Sequence, residues 1–275
     1  MKKYLTLIVL FVTIFQMHSQ NASKIDDLKY KCTYVITYQP DSTNVDAIES
    51  EEMLLLIGKK TSKFLSLGTY LKDSIFNNID RENTNSSNLL GLLQSTPKTK
   101  FKEKIFKNYP NGKITTTEQV WKDFYMYEEP LQLFNWSIKE ETKTISGYVC
   151  QKATTNFSGR NYTAWFTNEI PIPDGPYKFN GLPGLIIKIN DSKNQYEYKL
   201  IGFEKQNSNA ITMNNKNYIK TTKKEFYKLR KEFYKNIFKK LEQSGININF
   251  DNPSQKRGVL NRINKRNNPI ELDIK

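Results

Sequence analysis

Residues 160–177 contain the side chains from which a site can be built: Arg160, Tyr162, Trp165, Asp174 and Tyr177. A guanidinium, three aromatic rings and a carboxylate lie close together in the chain. The planar fork of Arg160 has two uses. It can hold Asp174 in a buried ion pair, or it can clamp an anionic group of a ligand with Trp165 stacked beside it. It is the sole arginine between Arg81 and Arg230 in a lysine-dominated chain, and lysine does not reproduce a planar fork. Glu169 and Asp174 make a second candidate, a carboxylate pair for hydrolysis, whose chemistry depends on their separation in space.

Several other chemistries are excluded by what the chain lacks. Lys2 and Lys3 precede an apolar run from Leu5 to Phe15, and small Ser19 precedes Gln20. That is the pattern of a secretory signal peptide, residues 1–19, too short for a confident membrane span. Its cleavage removes His18, the single histidine, and with it any Ser-His-Asp triad, Cys-His dyad or histidine metal site. The sequence has no P-loop, dinucleotide-binding glycine fingerprint, HExxH, EF-hand loop or G-x-S-x-G. No cofactor and no metal are expected. Export places the protein in the periplasm or at the outer membrane, an oxidising compartment in which the even pair Cys32 and Cys150 favours one disulfide.

The formal charge is +14. Such a balance invites a nucleic-acid reading, but an exported protein meets anionic lipid surfaces instead. The expected partners are therefore an outer-membrane protein, a hydrophobic or peptide ligand, or peripherally an anionic membrane surface, and no nucleic acid.

Period-two patterning dominates the elements that must position these groups. Leu28, Tyr30, Cys32, Tyr34, Ile36 and Tyr38 alternate with polar or smaller residues, as in a strand with one buried face. Hairpins are expected across Gly58–Thr61 and across Asn111-Gly112. Further strands follow at Trp121–Tyr127, Phe134–Lys139, Ile145–Phe157, Tyr162–Thr167, Leu185–Ile189 and Gln195–Phe203, the spacing of a meander, sandwich or open barrel. Residues 77–88 read as a solvated loop with short helical or irregular pieces around it. One segment changes period: Phe226, Leu229, Phe233, Ile237 and Leu241 predict a helix over 221–245, capped by Thr221 or Thr222 and ended by Gly245. It can pack on the sheet or lie on an anionic membrane. The closing "NPIELDIK" resembles a short docked edge strand.

The stretch "PDGPYKFNGLPGLI" at 173–186 sets two tight turns before a buried strand. Gly181, Pro183 and Gly184 supply permissive and fixed φ values there, serving backbone geometry rather than chemistry. The functional alternative is a nest of backbone amides for an anion.

"GLPGLI" at 181–186, with "ETKTISGYVCQKAT" (141–154), "GRNYTAWFTNEIPIPDGPYKFNGLPGLI" (159–186) and "NNPIEL" (267–272), resembles the GLPGLI family of uncharacterised secreted Bacteroidetes proteins. The resemblance carries membership and no activity. The expected architecture is one β-rich domain, residues 20–275. It comprises a curved antiparallel sheet or half-barrel with one long C-terminal helix, a closed β-sandwich being the alternative. The expected function is non-enzymatic binding of a hydrophobic or peptide ligand, or docking of an outer-membrane partner. The alternative is a histidine-free hydrolase using paired carboxylates.

Overall fold

The structure, a computed structural model, describes residues 22–78, 85–207, 209–245 and 252–274, together with Ile248 and Phe250. The expected signal peptide, with His18, lies outside the described residues.

Strands β1 (Ser23–Asp27), β2 (Tyr30–Tyr38), β3 (Glu49–Ile57) and β4 (Ser62–Ser66) lead into helices α1 (Leu67–Asn78) and α2 (Ser86–Ser95). Next come β5 (Lys104–Lys107), β6 (Lys113–Val120), β7 (Asp123–Pro130), β8 (Ser137–Ile145), β9 (Tyr148–Phe157) and β10 (Arg160–Thr167). An irregular segment, 168–184, precedes β11 (Leu185–Asp191), β12 (Tyr196–Lys205), β13 (Ala210–Met213) and β14 (Tyr218–Lys220). The chain closes with α3 (Lys223–Lys235), α4 (Ile237–Gln243) and α5 (Pro253–Asn264).

Twelve strands form one sheet in the order β14-β7-β6-β5-β4-β3-β2-β12-β11-β10-β9-β8. Every pair is antiparallel except β14 with β7. The sheet is open, with β14 and β8 at its edges, so the closed sandwich is not formed. Turn chemistry explains the hairpins. Ser146-Gly147 and Ser158-Gly159 each link paired strands through two residues at positive φ, the requirement of a turn matched to right-handed strand twist.

The alternation of β2 is realised, with Cys32, Tyr34, Ile36 and Tyr38 buried. They join β3, β4 and β9–β12 in the main core, together with Tyr177, Phe179 and Leu182 of the irregular segment. β3 is instead buried on both faces. Leu54, Leu56 and Leu65 meet Leu28 and Ile211 of the small β1–β13 ribbon, with Leu67 and Tyr70 packed beside them. That second cover is why Met53–Ile57 is continuously apolar.

Two expectations are corrected here. The C-terminal helix is not continuous. Asn236 leaves helical geometry at φ −112 and ψ 26, and the interruption separates α3 from α4, with α5 a third helix beyond it. The capped start is as read, a capping box between Thr222 and Glu225. The cysteines are also not bridged: both are free and buried. Cys32 on β2 and Cys150 on β9 lie four strand steps apart, about 19 Å along the sheet. A disulfide needs Cα atoms within roughly 7 Å. Burial raises both thiols, Cys150 to about 11.

Candidate functional site

Segment 168–184 turns back on the sheet. Its backbone is bonded through Gly181 N–H to Pro173 O, Leu185 N–H to Ile170 O and Ile186 N–H to Asp174 O. Gly181 takes φ +90, the left-handed conformation that glycine tolerates. Gly184 does not adopt positive φ. Its requirement is steric, because a Cβ there would sit 2.0 Å from the Thr167 carbonyl oxygen. Lys107 on β5 pins the segment from below. Buried beside Asp174, it pairs with that carboxylate and donates to Gly175 O at 2.5 Å and Phe179 O at 3.4 Å.

The Arg160–Asp174 pair therefore does not form. The Ser158-Gly159 turn places Arg160 at the start of β10, where it is 4% exposed and its partner is Asp191 at 3.1 Å. Its Nη1 also donates to Gln195 Oε1 at 2.9 Å. Nε donates to Ile270 O at 3.0 Å, and Nη2 donates to Asn268 Oδ1 and Pro269 O at 2.6 and 2.7 Å. These five bonds match the five N–H donors of a guanidinium, and the Tyr196 ring stacks on it at 4.9 Å. The fork grips the chain's own C-terminal strap, residues 268–272.

Tyr162 and Tyr177 join Arg160 around that strap. Tyr162 donates to Ile270 O at 3.3 Å, and Tyr177 to Glu271 Oε1 at 2.5 Å. Trp165 and Asp174 have other company. Lys143 caps the Trp165 ring at 3.8 Å, and Asp174 belongs to Lys107. Glu169 accepts from the Val149 N–H at 2.8 Å, so Glu169 and Asp174 have separate partners. The strap itself is docked without strand geometry: Leu272 and Asp273 N–H both donate to Ser158 O.

The strap's second anchor escaped the sequence reading. Glu271 is buried between two lysines, Lys178 at 2.6 Å and Lys223, and Ser158 adds a hydrogen bond at 3.0 Å. Glu129 of β7 bridges the same two lysines, meeting Lys223 at 2.8 Å and Lys178 as well. Lys178 has no exposed surface. Burial alone would raise the Glu271 carboxyl, but the two ammonium groups outweigh it and hold the group at about 2. For Lys178, burial opposes the charged form, while Glu271 and Glu129 raise its pKa above the usual lysine value. The available signal was a lone charge inside an apolar stretch, as in Tyr177-Lys178-Phe179 and Ile270-Glu271-Leu272.

Over this network opens a cleft of about 780 Å³. Its walls are β7 from Met126 to Pro130, the turn from Asn156 to Gly159, the entry to α3 from Lys220 to Lys223, and Leu133 and Asp273. Along one wall the sheet edge is open. β14 pairs with β7 no further than Lys220↔Met126, the Thr221 N–H donates to Met126 O, and the chain then turns into α3. By strand alternation, the Glu128 N–H and C=O face that same edge. No metal-ligating group of His, Cys, Asp and Glu is present among the described residues.

A family model described as a protein of unknown function (Porph_ging) matches residues 157–188, which hold Arg160, Lys178 and the glycine-proline turns. No curated protein matches the chain. Two crystal forms of PNGF-II have similar folds, with TM-scores of 0.50 and 0.51 at 13% and 14% identity. Each match covers 74% of this chain and 33% of the PNGF-II chain. The likeness at that identity is one of fold, and a short central stretch of this chain matches a Bacteroidetes-associated family of unknown function.

Proposed function

We propose that this chain is a non-enzymatic binding protein of the bacterial cell envelope, of the GLPGLI family, whose cleft takes an extended peptide. The observation that carries this is the open edge of β7 inside the cleft. Beyond Met126 it presents the Glu128 N–H and C=O without a strand partner among the described residues, and an added strand would satisfy both. Pro130, which has no N–H, ends the edge. The walls suit a peptide better than a purely apolar ligand. Tyr127, Leu133 and Phe157 offer apolar contact, while Glu128 and Lys220 can meet polar groups. The anchoring charges below are already paired with one another, which fits a floor that holds shape rather than a centre that moves protons.

The test is selection of binders from a random peptide library by the purified protein, followed by Glu128→Pro. Peptides lost on this substitution, with an unchanged melting temperature, support strand addition. Selected peptides that bind Glu128→Pro as tightly as the parent would sink it. So would a library yielding nothing while an apolar fluorescent probe fills the cleft.

A further inference from the structure

Charge is not spread evenly along this chain. Residues 223–266 contain thirteen Lys/Arg and four Asp/Glu, a net +9 of the chain's formal +14. Three of those cations have acidic partners from the body: Lys223 in the strap network, Arg230 with Glu118, and Arg266 with Glu49. Lys224, Lys228, Lys231 and Lys235 are different. They fall at i, i+4, i+7 and i+11, one face of α3, and all four are exposed. Lys239 and Lys240 of α4 are exposed as well. None of the six has a salt bridge among the described residues.

The other face of α3 is occupied. Phe226 is buried against Val120, Tyr125 and Tyr127, with Leu229 and Phe233 packed beside it. The helix cannot bury its apolar side in a membrane without leaving the sheet, so its outward lysine face is what a partner would meet. That face is a row of compact point charges with no arginine fork among them, unsuited to bidentate reading of bases or single phosphates. A row of like point charges suits a laterally extended negative field, as at an anionic bilayer. α5 carries exposed Lys256, Arg257 and Arg262, with exposed Lys265 just after it.

We propose that the lysine face of α3 and α4 docks this protein peripherally on an anionic bilayer surface, by electrostatic contact with headgroups and without insertion. The cleft opens at the first turn of the same helix, at Lys220–Lys223, so docking sets the ligand-binding wall beside the lipid surface. This does not depend on what the cleft holds.

Flotation of the purified protein with phosphatidylcholine vesicles, with and without phosphatidylglycerol, tests it. Binding is expected with phosphatidylglycerol, weakening steeply with added salt, and not with phosphatidylcholine alone. The triple variant Lys228→Gln/Lys231→Gln/Lys235→Gln should lose about a hundredfold in partitioning, since each charge near such a surface contributes about 1 kcal/mol. Its melting temperature should not change. A control of equal charge, Lys29→Gln/Lys60→Gln/Lys113→Gln, removes exposed lysines elsewhere and should keep most of the binding. Equal losses in the two triple variants would overturn the proposal. So would equal binding to both vesicle types, or displacement by soluble duplex RNA at nucleotide concentrations matching the lipid phosphate.

Discussion

Lys223 and Lys224 are neighbours in sequence and belong to two regions that use the same chemistry in opposite ways. Lys223 turns inward to Glu129 and Glu271, next to Lys178, in a cluster where each charge touches an opposite one. Lys224 turns outward and begins a row of exposed lysines. Around the strap, cations are structural because carboxylates from β7 and from Glu271 neutralise them in a largely buried cluster. On α3 and α4 none of the six lysines has a salt bridge among the described residues, so the row's charge faces the surroundings. Residue type does not distinguish these regions; the partner supplied by another part of the fold does.

The comparison breaks most readily at Lys178. Lys178→Met strips Glu271 and Glu129 of a buried partner and should cost about 3–5 kcal/mol in denaturant unfolding. A cost below about 1 kcal/mol would mean the cluster is wet and no different in kind from the helical arm. Adding Glu271→Leu to Lys178→Met should recover part of the loss, because Lys223 then balances Glu129 alone and no excess carboxylate remains.

Acid gives the next largest effect. The Glu271 carboxyl is held at about 2, against an ordinary 4.5. A depressed carboxylate contributes stability that is fully present above the unfolded value and is lost as pH falls. The loss should run from about pH 4.5 down through 2 and amount to about 3 kcal/mol. Unfolding followed across that window should show the decline, and Glu271→Gln should flatten it. An unchanged slope in Glu271→Gln would assign the acid sensitivity elsewhere.

Arg160→Lys sharpens the same contrast with a smaller change. It keeps the positive charge at Asp191 but cannot reproduce five donors in one plane, so about 1–3 kcal/mol of stability should go. Asp174→Asn should show no coupling to it in a double-mutant cycle, because Asp174 is held by Lys107. Strong coupling between the two would contradict the separate partners described above. The smallest effect belongs to the arm, where the triple lysine variant of the vesicle test should change stability by no more than about 0.5 kcal/mol.

Much of this protein was legible in the chain alone, and the legible part is local. Alternation in β2, the hairpins across Gly58–Thr61 and Asn111-Gly112 and the Thr222 cap each depend on residues within a few positions. The steric rules acting there need no tertiary context. The Ser146-Gly147 turn was missed, because residues 145–157 read as one strand. The apolar stripe of Phe226, Leu229 and Phe233 also announced a helix that would pack by one face. Its interruption at Asn236 was not announced, since the apolar period runs through it to Leu241.

The tertiary structure decided the pairings. Arg160 finds Ile270 at a separation of 110 residues and Lys178 finds Glu271 at 93, and no local pattern encodes such a match. The same holds for the cysteines, whose even number suggested a bridge until the strand order set three strands between theirs. Sequence set which segments would extend or coil, because that is governed by neighbours along the backbone. Whether a charge would be buried or exposed depended on which distant segments the sheet brought beside it, because the cost of burying a charge is offset only by a partner in space.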